Sequence, residues 1–564
     1  MKNLRKKLPI GIENFETMIR EDYYYVDKTG LIADLLNAGG LVTLFTRPRR
    51  FGKSLNMSML EQFFDPETDK SIFEGLKSRE ETQLCEKYMG QYPVISISLK
   101  RIEAGDFDTA YAQMAQIIRE QAIRADNLVA QGTDIHPADR SALDRLLADM
   151  IKPADLYAGL YTLSGILEKH YGRKIVLLID EYDVPLSKAC EYGYYDQMVL
   201  LIRNLLHQAM KTNHNLQLAV LTGCMRISKE SIFTGLNNLK VLGVSDARSD
   251  EYFGFTDQEV RDLLTYYGLS ERYEEVREWY DGYHFGNVDV YCPWDVINYC
   301  DHAVYDPNAY PENYWINSSN NQIIRRFLRY NDSPTLKSEI ETLINGGEVE
   351  KTIHQELTYG DMYSSLDNIW SVLFTTGYLT QSERMDARRF RLRIPNEEIR
   401  DIFTEQILDL FVENVRRDGT SLGLLCDALK AKDALNVEKY LTDYLRRTIS
   451  IRDTAVRKSL RENFYHGLLL GILGACEDWG VSSNPEAGDG YSDLIVRLNN
   501  YEMAMVIEVK YADDGDMEAV CRRALDQIEE KRYIDPLLDD GFERILKYGI
   551  AFYKKRCRVM VREG

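Results

Sequence analysis

Residues 41–54, LVTLFTRPRRFGKS, run from an apolar β-type segment into a loop that ends Gly52-Lys53-Ser54 and opens a helical pattern. A buried strand, a tight turn and a helix N-terminus in that order make a cradle for the phosphates of a nucleotide. Backbone N–H groups of the loop and first helical turn face the anionic oxygens, the Lys53 ammonium is placed for the β- and γ-phosphates, and the Ser54 hydroxyl for Mg2+. Arg50, Phe51, Gly52, Lys53, Ser54 and Leu55 are therefore the candidate nucleotide-binding residues. The match is imperfect. The pattern G-x-x-x-x-G-K-[ST] asks for glycine where this chain has Arg47, and Pro48, Arg49, Arg50 and Phe51 stand where small residues are usual. A GKS tripeptide alone also opens ordinary surface helices, so the rest of the chain has to decide.

About 125 residues later, positions 174–183 read KIVLLIDEYD, an apolar run that ends in adjacent carboxylates. A run without alternation predicts a strand buried on both faces of a parallel sheet, where ligands gather at the carboxyl ends. Asp180 would hold Mg2+, a hard cation that prefers oxygen ligands and keeps several waters. Glu181 would orient and polarise the attacking water. A third apolar strand, 216–222, ends in Thr222, placed to read the γ-phosphate, and Arg226 follows as a candidate for stabilising charge on the transferring phosphoryl group. A strand-end threonine and a loop arginine are also common without any such role. Together, the GKS loop and the strand ending in Asp180-Glu181 predict a P-loop ATPase core.

A chain of 564 residues exceeds one hydrophobic core and suggests three or four units. No apolar run approaches the roughly 20 residues of a membrane span, and the N-terminus lacks a signal-peptide core. The expectation is a soluble, cytoplasmic protein without membrane contact. Nine cysteines without a C-x-x-C pair fit neither a disulfide framework nor a zinc ribbon. The net charge of −20 argues against non-specific coating of nucleic acid, which needs phosphate neutralisation by Lys and Arg. Local basic clusters exist nonetheless: Arg446, Arg447, Arg452, Arg457, Lys458 and Arg461, and then Lys554, Lys555, Arg556 and Arg558. Each reads as a solvated face or as a phosphate-tracking surface.

From residue 488 the sequence is GDGYSDLIVRLNNYEMAMVIEVKYA, which predicts strands over 492–498 and 503–510 joined by a tight turn at Asn499-Asn500. Side chains two apart on a strand share a face, so Glu508 and Lys510 point together and Asp493 on the paired strand can reach them. Two carboxylates and a lysine at a strand bend form a Mg2+ site able to activate water against a phosphodiester. Asp493 and Glu508 would hold the metal and Lys510 would position the nucleophile or stabilise the phosphorane. A surface hairpin with one same-face ion pair is the plainer alternative.

The D…E-x-K spacing at Asp493, Glu508 and Lys510 resembles the PD-(D/E)-x-K nuclease superfamily, with Ser492 where proline is usual. In that superfamily a preceding helix often adds an acidic residue, here Glu462, and a following helix packs on the hairpin, here 524–533 with Gln527 towards the site. Taken whole, TRPRRFGKSLNMSMLEQFF, LLIDEYDVPL, TGCMRISKESIFTGLNNL, DGYHFG, YCPWDVINY and YWINSSNN look like a family of bacterial AAA-ATPase-like proteins with a C-terminal PD-(D/E)-x-K nuclease-like domain. That family typically reads R-P-R-R-F-G-K-S in the loop, which accounts for Arg47.

The resemblance implies an α/β chain in three parts: an AAA-like P-loop ATPase with a parallel sheet over 8–265, a helical lid and winged-helix-like connector over 266–420, and a restriction-endonuclease-like PD-(D/E)-x-K domain over 421–560. The aromatics Trp279, Tyr280, Tyr283, Phe285, Trp294, Tyr314 and Trp315 could stack on bases, and more often form core. Arg388, Arg389, Arg391 and Arg393 would be the wing of a winged helix or a charge-protected edge strand. The expected function is an ATP- and Mg2+-dependent enzyme acting on nucleic acid, DNA ahead of RNA. Nucleotide state would control cleavage through homo-oligomerisation or lid closure, in defence or mobile-element biology. The alternative is a nucleotide-gated binding or signalling protein with a non-catalytic nuclease-like domain.

Overall fold

The computed structural model describes residues 5–226, 232–233, 237–315, 324, 334–362, 365–404, 406, 419–448, 458–474, 476, 479–488, 490–498 and 503–564. The chain folds into two units, the first from residues 1–319 and 350–399 and the second from 320–349 and 400–564.

The apolar runs of the first unit become a five-stranded sheet: β1 (Val42–Thr46), β2 (Val94–Ser98), β3 (Ile175–Asp180), β4 (Leu216–Gly223) and β5 (Leu239–Leu242), in the order β2-β3-β4-β1-β5. All four pairings are parallel. Every residue of β1 and β3 is buried, as a central position in such a sheet demands. Parallel strands bring their carboxyl ends to one edge, so the loops after Thr46, Asp180 and Gly223 converge there. Because β4 lies between β1 and β3, Thr222 stands between the GKS loop and Asp180.

Residues 255–291 add a small antiparallel sheet, β6 (Phe255–Thr256), β7 (Tyr283–Phe285) and β8 (Val288–Tyr291), ordered β6-β8-β7. Helices Asp257–Tyr267, Tyr273–Tyr280 and Pro293–Tyr305 pack beside it, the first entered through a capping box between Thr256 and Glu259. Tyr280, Tyr283, Phe285 and Trp315 are buried in this unit, not offered to a base. A third sheet, β9 (Val349–Thr352), β10 (Thr380–Arg384) and β11 (Arg389–Arg393), has the order β10-β11-β9. The basic strand β11 is thus central, which removes the edge-protection explanation for its arginines. Arg389 pairs with Asp386 and Glu350, and Arg391 with Glu383. The strand read at 388–393 is present as β11, while the reading of a helical lid missed the sheet β6-β8-β7, whose strands of two to four residues are too short for a clear period.

In the second unit, β12 (Trp479–Ser483), β15 (Leu494–Leu498), β16 (Met503–Tyr511), β17 (Arg544–Tyr553) and β18 (Arg556–Glu563) form a mixed sheet in that order, with a two-residue ribbon of β13 (Glu486–Ala487) and β14 (Gly490–Tyr491). β15 and β16 are antiparallel as the hairpin reading requires, while β16 and β17 run parallel. Helices Gly419–Lys430, Ala434–Thr448 and Lys458–Leu473 cover one face, where Tyr465 stacks on Phe552 at 4.2 Å between centroids. Helix Met517–Glu530 covers the other through Leu525 and Ile528. The Asn499-Asn500 turn and the side chains of the basic cluster 446–461 lie outside the described residues. No disulfide joins any of the nine cysteines, of which six are buried. No described helix is long and apolar enough to cross a membrane.

Candidate functional site

The loop 47–52 owes its shape to where its large side chains go. Arg47, at the glycine position of the usual pattern, is fully buried. It turns away from the loop interior and donates to the carbonyls of Thr46 and Leu242 at 2.9 Å each and of Ser249 at 3.4 Å. Burial pushes its guanidinium down to about 10. Phe51 is buried between Tyr283 and Phe285, and Arg50, at φ 71°, lays its guanidinium on Trp294. Gly52 caps the helix Lys53–Phe64 at φ 77°, where a side chain would be strained. Leu55 lies in the first turn of that helix.

Lys53 is 2% exposed in its side chain. Its ammonium donates to the carbonyls of Arg47 (3.2 Å) and Pro48 (2.9 Å) and pairs with Glu181 at 3.2 Å. Burial works against that charge, but Cys224 and the carboxylates Glu181, Asp180 and Asp183 outweigh it and hold the lysine above its ordinary value. The Ser54 hydroxyl donates to Asp180 Oδ2 at 2.7 Å, and Thr222 donates to Asp180 Oδ1 while accepting the Glu181 N–H at 3.2 Å. Burial raises the Asp180 carboxyl. Ser54, Asp180, Glu181, Thr222 and Lys53 thus share one cluster. Arg226 is turned to Glu356 at 2.9 Å.

Sequence reasoning passed over Asp183, although it stands in the same DEYD string. It is buried, accepts the N–H groups of Cys224 and Met225 at 2.9 Å, and receives the Tyr359 hydroxyl at 3.2 Å. Burial, with Glu181 nearby, pushes it up to about 6. Tyr359 was not legible, since nothing local ties it to a strand end so far upstream.

In the second unit the five singled-out residues meet. Lys510 Nζ pairs with Glu508 Oε1 at 2.9 Å, and Gln527 also donates to Glu508 Oε1. Asp493 Oδ2 accepts the Val509 N–H at 2.7 Å, and Glu462 Oε1 accepts the Tyr511 N–H at 3.3 Å. Burial, with Asp493 adding to it, pushes Glu508 up to about 7. Burial opposes the Lys510 charge, yet Glu508, Glu462 and Asp493 hold it above the ordinary lysine value. Glu508 Oε2 is buried without a hydrogen-bond partner among the described residues, close to the second carboxylate. A divalent cation with a preference for oxygen would satisfy both groups. His466, one helical turn beyond Glu462, was missed; it meets Ser483 at 3.1 Å, and burial lowers it against the pull of Asp493.

Glu508 is paired across the sheet with Gly549 of β17, and a side chain there would come within 2.5 Å of the Cys521 carbonyl. The bare glycine lets helix Met517–Glu530 lie close enough for Gln527 to reach Glu508. Gly549→Val is expected to cost about 1–3 kcal/mol of unfolding free energy through overpacking. Denaturant titration checks it, and a variant as stable as the parent would show that the helix does not need this approach.

Comparison with known proteins finds a match for a segment of each unit. Residues 9–233 match the family described as predicted AAA-ATPase, and residues 460–562 match the PD-(D/E)XK nuclease superfamily. An uncharacterized protein in the vnfD 5' region of Azotobacter chroococcum mcd 1 is 28% identical over 571 residues, spanning 97% of this chain and 96% of that protein. A Walker-type ATPase of Pyrococcus abyssi aligns with 71% of this chain and 99% of its own at 12% identity, with a TM-score of 0.37 that carries no argument. The chain therefore joins a domain of the predicted AAA-ATPase family to a C-terminal domain of the PD-(D/E)XK nuclease superfamily.

Proposed function

We propose that the first unit binds and hydrolyses ATP and that the second cuts nucleic acid, DNA ahead of RNA, with nucleotide state timing the cut. The observation that carries this reading is the meeting of Asp493, Glu508, Lys510, Glu462 and Gln527 at one end of the β15–β16 pair, in a chain that also assembles Lys53, Ser54, Asp180 and Glu181.

In the first site Lys53 neutralises the β- and γ-phosphates, the Arg50 to Leu55 backbone cradles them, Ser54 and Asp180 would hold Mg2+, and Glu181 takes the proton of the attacking water. Thr222 fixes Asp180 and the Glu181 backbone, and Arg226, released from Glu356, would face charge on the transferring group. In the second site Asp493 and Glu508 would hold Mg2+, Lys510 positions the attacking water, Gln527 orients Glu508, and Glu462 adds negative charge near Lys510. Bound Mg2+ supplies Lewis acidity and lowers the pKa of its water. Among the described residues no three His, Cys, Asp or Glu side chains form a metal cage, which suits an ion that keeps several waters.

A non-catalytic, nucleotide-gated binding protein is the second reading, and the net charge of −20 favours it. Incubating the full chain with linear, circular and single-stranded DNA and RNA, with Mg2+ and with or without ATP, separates the two. Cleavage that responds to ATP supports the first. Salt-sensitive binding without cleavage under any condition supports the second. A bacterial cytoplasmic setting and a role in defence or mobile-element biology suit the first reading, and self-association is the device we favour for timing.

A further inference from the structure

The large residues of the phosphate loop dock on one downstream segment. Arg47 lies against Phe253 and Phe285 with 5.0 and 5.5 Å to the ring centroids. Phe51 packs edge-on against Tyr283 at 4.9 Å and tilted against Phe285 at 5.0 Å. Arg50 places its guanidinium 3.8 Å from the Trp294 centroid, and the Cys292 thiol reaches the Arg50 carbonyl at 3.9 Å. A sequence that merely cradled phosphate would need none of these side chains.

Next to Trp294, the carboxyl groups of Asp295 and Glu398 face each other, both 0% exposed. Glu398 Oε1 accepts the backbone N–H of Trp315 at 2.7 Å. Its Oε2 and both Asp295 oxygens meet no N–H or O–H of another described residue, and Arg50 Nη1 is likewise buried without a hydrogen-bond partner among the described residues. Two carboxyl groups that meet away from water do not both ionise, and one shared proton satisfies both.

We propose that Asp295 and Glu398 form a proton-sharing dyad whose single negative charge holds Arg50 on Trp294 and so sets the shape of the phosphate loop, linking nucleotide binding to the dyad's protonation. The linkage rests on the reading of this loop as an ATP site; the hold on Arg50 does not. The groups that face the dyad are Arg50 from the loop, Cys292 from the start of the same helix, Tyr283 from β7, Tyr280 from the preceding helix and Tyr314. Burial keeps the three tyrosines and the thiol neutral, so Arg50 is the cation of this set. Burial pushes Asp295 up to about 6, and burial with Asp295 beside it drives Glu398 well above the usual carboxyl range. At neutral pH the dyad carries one charge. Below about pH 6 it becomes neutral, and Arg50 loses its counter-charge.

The test uses the full chain with ADP and Mg2+ from pH 7.5 to 5.5, followed by calorimetry, and Trp294 fluorescence obtained by subtracting the Trp294→Phe variant. In the parent, acidification should weaken ADP binding by roughly fivefold more than in Asp295→Asn combined with Glu398→Gln, which has no carboxyl left to titrate and should bind weakly throughout. The ADP titration is common to both proteins and cancels. The Trp294 signal should change with pH in the parent and stay flat in the double variant. Glu398→Gln alone mimics the singly protonated dyad, keeps the Asp295 carboxyl and should follow the parent. Identical pH responses of parent and double variant, with binding intact, would overturn the linkage alone. A Trp294 signal that ignores pH would overturn the hold on Arg50. No ADP binding at any pH would overturn the nucleotide reading and the linkage together.

Discussion

Lys510→Ala is expected to lower Mg2+-dependent cleavage of nucleic acid by about 10²- to 10³-fold while leaving ATP turnover at the parental level. Lys510 is the one cation within hydrogen-bonding reach of Glu508 among the described contacts, at 2.9 Å, and its charge is reinforced by Glu462 and Asp493. Removing one partner of a buried ion pair ordinarily destabilises a fold strongly. Here the loss is tempered, because burial already pushes Glu508 up to about 7, so it can take up a proton when Lys510 is gone. The variant should therefore fold, and thermal unfolding beside the parent checks that it does. Gel assays of cleavage and a phosphate-release assay give the two activities. Undiminished cleavage by Lys510→Ala would remove Lys510 from the site.

The parts of this molecule that were legible in sequence are those encoded locally. A strand, a GKS turn and a helix are written in consecutive residues, and so is a buried strand that ends in Asp180-Glu181. The pairing of Glu508 with Lys510 follows from the two-residue period of β16, and the structure returns it as an ion pair. The family resemblance supplied Glu462 and Gln527, which no local rule identifies. The rest depended on distant contacts. Sequence gives no sign that Arg47 is fully buried, because its partners Leu242 and Ser249 lie far along the chain. The half-buried strand LKVL at β5 lacks the apolar run that marked β1, β3 and β4. Asp295 and Glu398 stand on separate elements, and each alone reads as a surface acid. Basic β11 was read as the wing of a winged helix or as a charge-protected edge strand, and the second reading falls because the chain flanks it with β9 and β10 and pairs its arginines with acids.

These distant contacts also explain why the phosphate loop departs from the small-residue pattern. In a loop that only wraps phosphate, side chains are an obstruction, and glycine is the economical choice. Here Arg47, Arg50 and Phe51 point away from the loop interior, onto Phe253, Trp294, Tyr283 and Phe285. The loop keeps its backbone free for a ligand while its side chains tie it to the segment 283–295. If the loop binds a nucleotide as proposed, binding there and packing of that segment would be coupled through residues that sequence patterns alone would score as mismatches.

Glu181→Gln is expected to separate binding from hydrolysis in the first unit: turnover falls by about 10²- to 10³-fold, whereas the affinity for ATP rises severalfold. The reason lies in the Lys53–Glu181 pair at 3.2 Å, in which a side chain 2% exposed meets one 14% exposed. Before Lys53 can serve a phosphate it must give up part of that attraction, which is strong where water is excluded. The amide removes the competing charge and so favours the phosphates, but it cannot take a proton from water. Lys53→Ala gives the opposite pattern, with ATP binding itself lost. Glu181 sits at φ 53°, a strained backbone that glutamine shares equally, so the exchange should not disturb the fold. Calorimetric ATP binding and single-turnover hydrolysis measure the two quantities separately. Parental turnover in Glu181→Gln would show that another group activates the water. Asp183, buried near the same lysine and pushed up to about 6, would then be the next residue to substitute.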